Sequence, residues 1–245
     1  MTSGRVRGGH NQYGFTVGIL MLDTRFPRIP GDMGNASTFP FPVRYQRVSG
    51  ADPDRVVRRG AEGLLPAFAA GARALEGEGV GAITTNCGFL VKFQGELAAT
   101  VGVPLFTSSL LLVPLVHRML GPGRRVGILT VNAAALGPEH LAGAGIDPDM
   151  PIAVAGLESE KEFTRVMLGD ELELDVDLAR EEHVRVARRL VADHPDIGAI
   201  VLECTNMPPY AADIQRETGV AVFDIVSLVT MAHGALVAGR PPRRA

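Results

Sequence analysis

An α/β fold of two pseudo-symmetric, doubly wound lobes, each built on a parallel sheet with the active site in the cleft between them, follows from three features of the sequence. Short Val/Ile/Leu runs recur along the 245 residues as continuous apolar stretches, which suits strands covered on both faces. Helix-compatible segments separate them, the pattern of parallel strands joined by right-handed crossovers. The chain also repeats itself. Val17-Gly18-Ile19-Leu20 returns as Val126-Gly127-Ile128-Leu129, and Gly102-Val103-Pro104-Leu105-Phe106 returns as Gly219-Val220-Ala221-Val222-Phe223, 117 residues later. Cys87 and Cys204 share that spacing of 117.

In chain order, strands are expected at Thr16–Leu22, Gly81–Thr85, Pro104–Thr107, Arg125–Val131, Ile152–Ala155, Ala199–Glu203 and Ala221–Asp224. Asp52 as N-cap and Pro53 at the first helical position open a helix whose apolar face carries Val57, Ala61, Leu64, Leu65, Phe68, Ala72 and Leu75. Pro66 should kink or split it. A second helix, Asp175–Asp193, buries Val184, Ala187, Leu190 and Val191, and its charge run, Glu182 included, reads as a solvated face. The segment Thr24–Val43 contains four prolines and reads as a long functional loop. Its Phe26, Phe39 and Phe41 favour a lid over the site, with Arg25 or Arg28 available to a carboxylate and Asn35 a weaker candidate. The expected layout is a flexible tail over 1–13, lobe 1 over 14–116 joined by a C-terminal helix at 224–239, lobe 2 over 117–223, and a tail over 240–245.

Composition narrows the chemistry. A formal net charge of −3, with Arg and acidic residues mixed along the chain, argues against a nucleic-acid partner. The longest apolar run, Leu110–Val116, is far short of the roughly 20 residues that span a bilayer. Arg5 and Arg7 are not followed by a signal-type apolar stretch, and two lone cysteines suit a reducing compartment. A cytoplasmic protein without a membrane partner is expected. The six histidines lack paired ligand spacing, so no metal is expected, and neither a dinucleotide fingerprint nor a P-loop follows the first strand. Catalysis should need no cofactor. Ser108-Ser109 reads as a helix cap.

Each cysteine follows an apolar strand that begins Ala-Ile and precedes a helix-compatible stretch. Ligands of open α/β sheets bind beyond the carboxyl ends of the strands, so two such lobes would set Cys87 and Cys204 across one cleft. The positive end of a helix start should lower each thiol from ~8.5 toward neutrality. One thiol could then remove a proton from a substrate carbon while the other delivers one to the opposite face. Thr85, Asn86 and Gly88 beside the first cysteine, and Thr205 and Asn206 beside the second, supply donors and close backbone approach for a carboxylate. Strand alternation puts Glu203 on the face away from Cys204, a structural position.

The segments Ala82–Leu90 (AITTNCGFL) and Val201–Tyr210 (VLECTNMPPY), together with the repeat, resemble the cofactor-independent aspartate/glutamate racemase superfamily. The resemblance extends over nearly the whole chain beyond the N-terminal tail. It implies that Cys87 and Cys204 are the acid/base pair, that Thr205 matches the residue after the second cysteine, that Thr130 to Asn132 bind substrate carboxylate, and that the loop from Asp23 closes over the site. Two departures open the substrate to aspartate or a modified amino acid. Gly88-Phe89 follows the first cysteine where glutamate racemases have Asn-Thr, and Met21-Leu22-Asp23-Thr24-Arg25 replaces an Asp-Ser-Gly-type loop. The function expected is racemisation or epimerisation of an amino acid or related small carboxylate, in a chain that can form homo-oligomers. The alternatives are a thiol-dependent decarboxylase or cis-trans isomerase of a small dicarboxylate, or a two-lobed carboxylate-binding protein. The presence of both cysteines argues against a decarboxylase that needs only one.

Overall fold

The computed structural model describes residues 8–238, so residues 1–7 of the expected N-terminal tail, the final residue of the expected helix 224–239 and the whole tail over 240–245 lie outside the described residues. Strands β1 (Val17–Met21), β2 (Val43–Arg47), β3 (Ala82–Thr85) and β4 (Leu105–Phe106) form one sheet in the order β2-β1-β3-β4. Strands β5 (Arg125–Thr130), β6 (Ile152–Gly156), β7 (Ile197–Leu202) and β8 (Ala221–Phe223) form a second in the order β6-β5-β7-β8. Every pairing is parallel. The two orders are the same once the second sheet is renumbered from its first strand, which is the structural counterpart of the sequence repeat.

The repeated Val-Gly-Ile-Leu has a packing cause. Helix α1 (Leu65–Gly77) crosses β1 so closely that a Cβ on Gly18 would stand 2.9 Å from Leu75 Cδ1. At β5 the space is shared: a Cβ on Gly127 would meet Ile200 Cγ1 at 3.2 Å, Ile197 Cδ1 at 3.3 Å and, also at 3.3 Å, Leu190 Cδ2 of helix α6 (Val176–Asp193). In each lobe a glycine admits a helix leucine onto the central strand, and the flanking Val, Ile and Leu fill the sheet's two faces. The remaining helices are α2 (Gln94–Ala98), α3 (Val113–Met119), α4 (Pro138–Gly143), α5 (Phe163–Gly169), α7 (Ala211–Thr218) and α8 (Ile225–Val237). Helix α8 returns to pack against β1 and β3. Two apolar clusters each draw residues from both sheets, so a continuous core joins the lobes.

Several local readings change. Strand β2 lies at the end of what reads as a loop. Its sequence, Val-Arg-Tyr-Gln-Arg, hides a half-buried edge strand whose polar residues find partners: Arg44 Nε donates to Glu78 at 2.5 Å, and Tyr45 Oη donates to the Met33 carbonyl at 3.0 Å. Asp52 does cap, accepting from Arg55 N at 2.9 Å, but the turn it starts is a short π-helical segment, Asp54–Arg58. The chain leaves the helix at Gly60, Ala61 and Gly63, all at positive φ, and restarts as α1 with Pro66 in its first turn. The expected lobe boundary at 116/117 falls inside α3, Val113–Met119, which has Pro114 in its first turn. Ser108 caps through Leu110 N, while Ser109 Oγ reaches across to donate to Leu202 O at 2.6 Å.

Glu182 leaves the solvated face of α6. It is buried, and its carboxylate accepts from the backbone N–H groups of Lys161, Glu162 and Phe163 at 2.8–2.9 Å. Two residues of the same helix thus turn inward, for His183 is also fully buried. It stacks on Tyr210 at 4.3 Å, and its Nδ1 lies 2.6 Å from Ala179 O. Burial pushes its pKa down to about 4. Between about 6.5 and 4 the unfolded chain binds a proton that the folded chain refuses, so this histidine removes stability as pH falls through that window. At ~1.4 kcal/mol per unit the loss is about 3 kcal/mol. His183→Phe should narrow the difference in urea stability between pH 7 and pH 4 by that order; an unchanged difference would remove His183 as its source.

Candidate active site

Both cysteines sit where a strand's hydrogen-bonded ladder ends. Cys87 follows β3 and opens a 3-10 turn, Gly88–Phe93. Cys204 follows β7 by two residues. They line one cavity, walled on the apolar side by Leu22 and Phe26 from the segment after β1, Pro53 and Val57 from the π-helical turn, Phe89, Val131, and Met167 and Leu168 from α5. The polar side consists of Asn86, Gly88, Glu203, Thr205 and Asn206. The cavity is narrow and partly open, with about 30 Å³, room for a water or two. A substrate of even a few carbons enters only if a wall moves.

A hydrogen-bonded chain positions the second thiol. Cys204 Sγ donates to Asn206 Oδ1 at 3.6 Å, Asn206 Nδ2 donates to Asp32 Oδ2 at 2.5 Å, and Asp32 Oδ1 pairs with Arg28 Nη1 at 2.9 Å. Arg28 also donates to Thr24 Oγ1 and stacks over Phe26 at 4.6 Å, so the lid segment is tied to the cysteine it covers. Thr205 Oγ1 donates to Asn86 O at 2.5 Å, which clips the two lobes together beside the thiols. Asn86 Oδ1 accepts from Leu22 N at 2.6 Å. Its Nδ2 is buried without a protein partner, a donor left for a ligand oxygen.

The expected site residues divide. Cys87, Asn86, Gly88, Cys204, Thr205 and Asn206 meet at the cavity. Thr85 lies just below, its hydroxyl within 2.7 Å of Thr107 O and 3.0 Å of Cys87 O, and so shapes the turn rather than facing a ligand. Thr130 and Asn132 do not line the cavity: Thr130 Oγ1 donates to Glu203 Oε2 at 2.7 Å, and Asn132 caps the following turn through Ala135 N. Asp23 points outward to Arg47 and Gly50 N, and Arg25 is an exposed side chain paired with Asp170. Asn35 holds the loop together through Arg28 O. Phe26 covers the cavity, but Phe39 is buried in the core, and Phe41 stacks on His233 at 3.6 Å beside α8.

Glu203 is the residue that sequence reasoning placed on the wrong side. It lies past the last ladder pair of β7, Leu129 with Leu202, and its carboxylate turns toward Thr130 and lobe 1's Gly88. Its own N–H still donates to Leu129 O at 2.8 Å, and the alternation lapses at Cys204, where the chain bends out of the strand and both side chains reach the cavity. The available signal was a lone acid in an apolar run directly before a cysteine. Glu203 is fully buried, with Oε1 unpartnered, and burial raises its pKa to about 7 against the opposing Thr130 hydrogen bond.

That acid reverses the expected tuning of the thiols. Burial, and then the charge of Glu203, push Cys87 up to about 12, against the Phe89 N–H and Arg28. The same two causes raise Cys204 well above an ordinary thiol, with the Asn206 N–H opposing. A helix-terminus field worth about 0.3–1 kcal/mol is smaller than the cost of a buried thiolate in a narrow, mostly apolar cavity beside a carboxylate. Both cysteines rest as thiols.

The lid has a latch. Asp170, the left-handed cap of α5, accepts from Arg25 N at 2.6 Å and Phe26 N at 3.1 Å and pairs with Arg25 Nε at 3.3 Å. It thereby joins the segment after β1 to the helix that carries Met167 and Leu168. Replacing Asp170 with Ala should speed hydrogen exchange at the Arg25 and Phe26 amides by about tenfold, the scale of one or two lost hydrogen bonds to a charged group. Unchanged protection would mean the lid is held elsewhere.

The arrangement has known relatives. Dimethylsulfoniopropionate lyase from Durusdinium sp. clade D is 33% identical over 218 residues, which cover 86% of this chain and 71% of that protein. Dimethylsulfoniopropionate lyase 7 from Emiliania huxleyi is 30% identical over 230 residues, 86% of this chain and 64% of its own length. The chain thus spans under two thirds of the second relative. Among solved structures, unliganded arylmalonate decarboxylase superposes with a TM-score of 0.59 at 18% identity, covering 94% of this chain and 95% of that one. The Picrophilus torridus aspartate racemase gives 0.56 at 18% identity, with 92% and 94% covered. These structural likenesses speak to the fold. The model of the Asp/Glu/hydantoin racemase family matches residues 65–232, from the start of α1 into α8 and across both cysteines. On that match the chain belongs to the Asp/Glu/hydantoin racemase family.

Proposed function

We propose that this enzyme removes the proton α to the carboxylate of a small substrate with a cysteine and completes the reaction by expelling a β-substituent, as a lyase acting on dimethylsulfoniopropionate or a close analogue. The observation that carries the reading is the convergence of Cys87 and Cys204 from opposite lobes on one narrow cavity. The names of the relatives at 30–33% identity favour elimination over the isomerisation expected from sequence. In the step proposed, the thiol first gives its proton to water, the thiolate takes the α-proton, the Cα–H electrons become the new C=C bond, and the Cβ–S pair leaves with dimethyl sulfide. Acrylate remains, and the proton rests on the cysteine. A thiol whose pKa is raised is a strong base once ionised, suited to a carbon acid as weak as one beside a carboxylate. Asn86 Nδ2 is the donor available to the carboxylate as charge builds on it, while the Phe89 and Asn206 N–H groups are turned to the two sulfurs.

Racemisation shares the first step, and the second thiol in the cavity favours it as the other reading: reprotonation from the opposite lobe inverts the centre. Incubating the protein with dimethylsulfoniopropionate and, separately, with single-enantiomer amino acids in D2O distinguishes them. Release of dimethyl sulfide and acrylate is expected. Deuterium entry with inversion in an amino acid, and no sulfide release, would replace the lyase by a racemase.

A further inference from the structure

Among the described residues, Glu203 is the cavity's one carboxylate, and no Lys, Arg or His lines the cavity with it. Its position is built. Thr130 Oγ1 fixes Oε2 at 2.7 Å, while Oε1 is buried with no partner. Gly88 leaves the room: a Cβ there would stand 2.2 Å from Oε1. A buried acceptor without a partner carries a desolvation cost that a ligand of complementary charge relieves. The same acceptor repels a second carboxylate, and no cation in the wall would hold one.

We propose that Glu203 is the specificity-determining residue of this site, receiving the positively charged end of a small substrate whose single carboxylate is held by the neutral side-chain amide of Asn86. This rests on the elimination reading above and deepens it, for the cation so held is the leaving group. A dicarboxylate of the kind expected from sequence has no counter-ion here. Apolar walls at Phe26, Phe89 and Met167 suit alkyl groups on the cation. The thiol chemistry gains too. Cys87 and Cys204 are both raised by the charge of Glu203, and a bound cation offsets that charge where the thiolate must form.

The test is a pair of unreactive ligands of one shape: trimethyl-β-alanine betaine, and the carboxylate in which a tert-butyl group replaces trimethylammonium. Calorimetric titration of the full chain at pH 8 should show the betaine bound at least about tenfold more tightly, the scale of a buried charge contact. In Glu203→Gln that ratio should fall to about one, with the neutral ligand bound no worse. Should that variant not fold, the wild type still decides. Its betaine preference should fade as pH drops through about 7, where Glu203 takes up a proton, the other groups at the cavity being the two thiols and the buried Arg28–Asp32 pair. Equal binding of the two ligands by wild type, or an undiminished ratio in Glu203→Gln, overturns the proposal. Sulfide release that survives alongside such a result leaves the lyase reading standing. A Glu203-dependent betaine preference without any sulfide release sinks the lyase reading instead.

Discussion

On the elimination proposed, Cys204→Ser is expected to lower kcat/KM for sulfide release by about a thousandfold, while leaving the circular dichroism spectrum and the melting temperature close to wild type. Serine keeps the shape and the hydrogen bond to Asn206, but its hydroxyl does not ionise in this cavity, so the variant loses the base and little else. A positioned general base typically contributes 10²–10⁴-fold. Cys204 is the better placed of the two thiols, because Asn206, Asp32 and Arg28 orient it through a chain of hydrogen bonds. Cys87→Ser should cost about tenfold for elimination, which needs a single base, but should match the loss at Cys204 for racemisation, which needs two. Full activity in Cys204→Ser would exclude Cys204 as the base, and full activity in the double variant with Cys87→Ser would exclude the thiol mechanism.

Gly88→Ala should be nearly as damaging for a different reason. The residue's backbone tolerates a side chain, since it lies outside the positive-φ set. The obstacle is steric: the added Cβ would fall 2.2 Å from Glu203 Oε1 and 2.5 Å from Glu203 O, atoms of a strand end packed in the core. The carboxylate can swing away, but the carbonyl cannot. Overpacking of this kind costs about 1–3 kcal/mol, and the displaced acid and adjoining Cys87 should lower kcat/KM by about a hundredfold or more. Denaturant unfolding and kinetics on one preparation check both effects. A fully active, fully stable Gly88→Ala would mean that the two lobes are not packed at this point as described.

Much of this architecture was written in the chain at short range. Continuous apolar runs marked the strands because parallel strands are buried on both faces, and Gly18 and Gly127 repeated because each central strand must admit a leucine from its covering helix. The paired cysteines were legible as ligand-facing because every parallel strand end opens on the same edge. Strand β2 was not legible, since an edge strand that finds its partners through Arg44 and Tyr45 need not look apolar. Arg25 illustrates a second limit. Residue type made it a carboxylate ligand, but its contact with Asp170, 145 positions away, turns it into part of a latch.

Sequence by itself determined the two-lobed parallel fold, its internal duplication and the pair of thiols, because each depends on local periodicity or on residue identity. Only the tertiary structure decided what surrounds those thiols. Past the end of the β7 ladder, the direction of Glu203 is set by Thr130 on a neighbouring strand and by the empty space above Gly88 in the other lobe. The raised pKa values of Glu203 and both cysteines follow from burial at that cavity, since the cost of a buried charge depends on everything that displaces water around it.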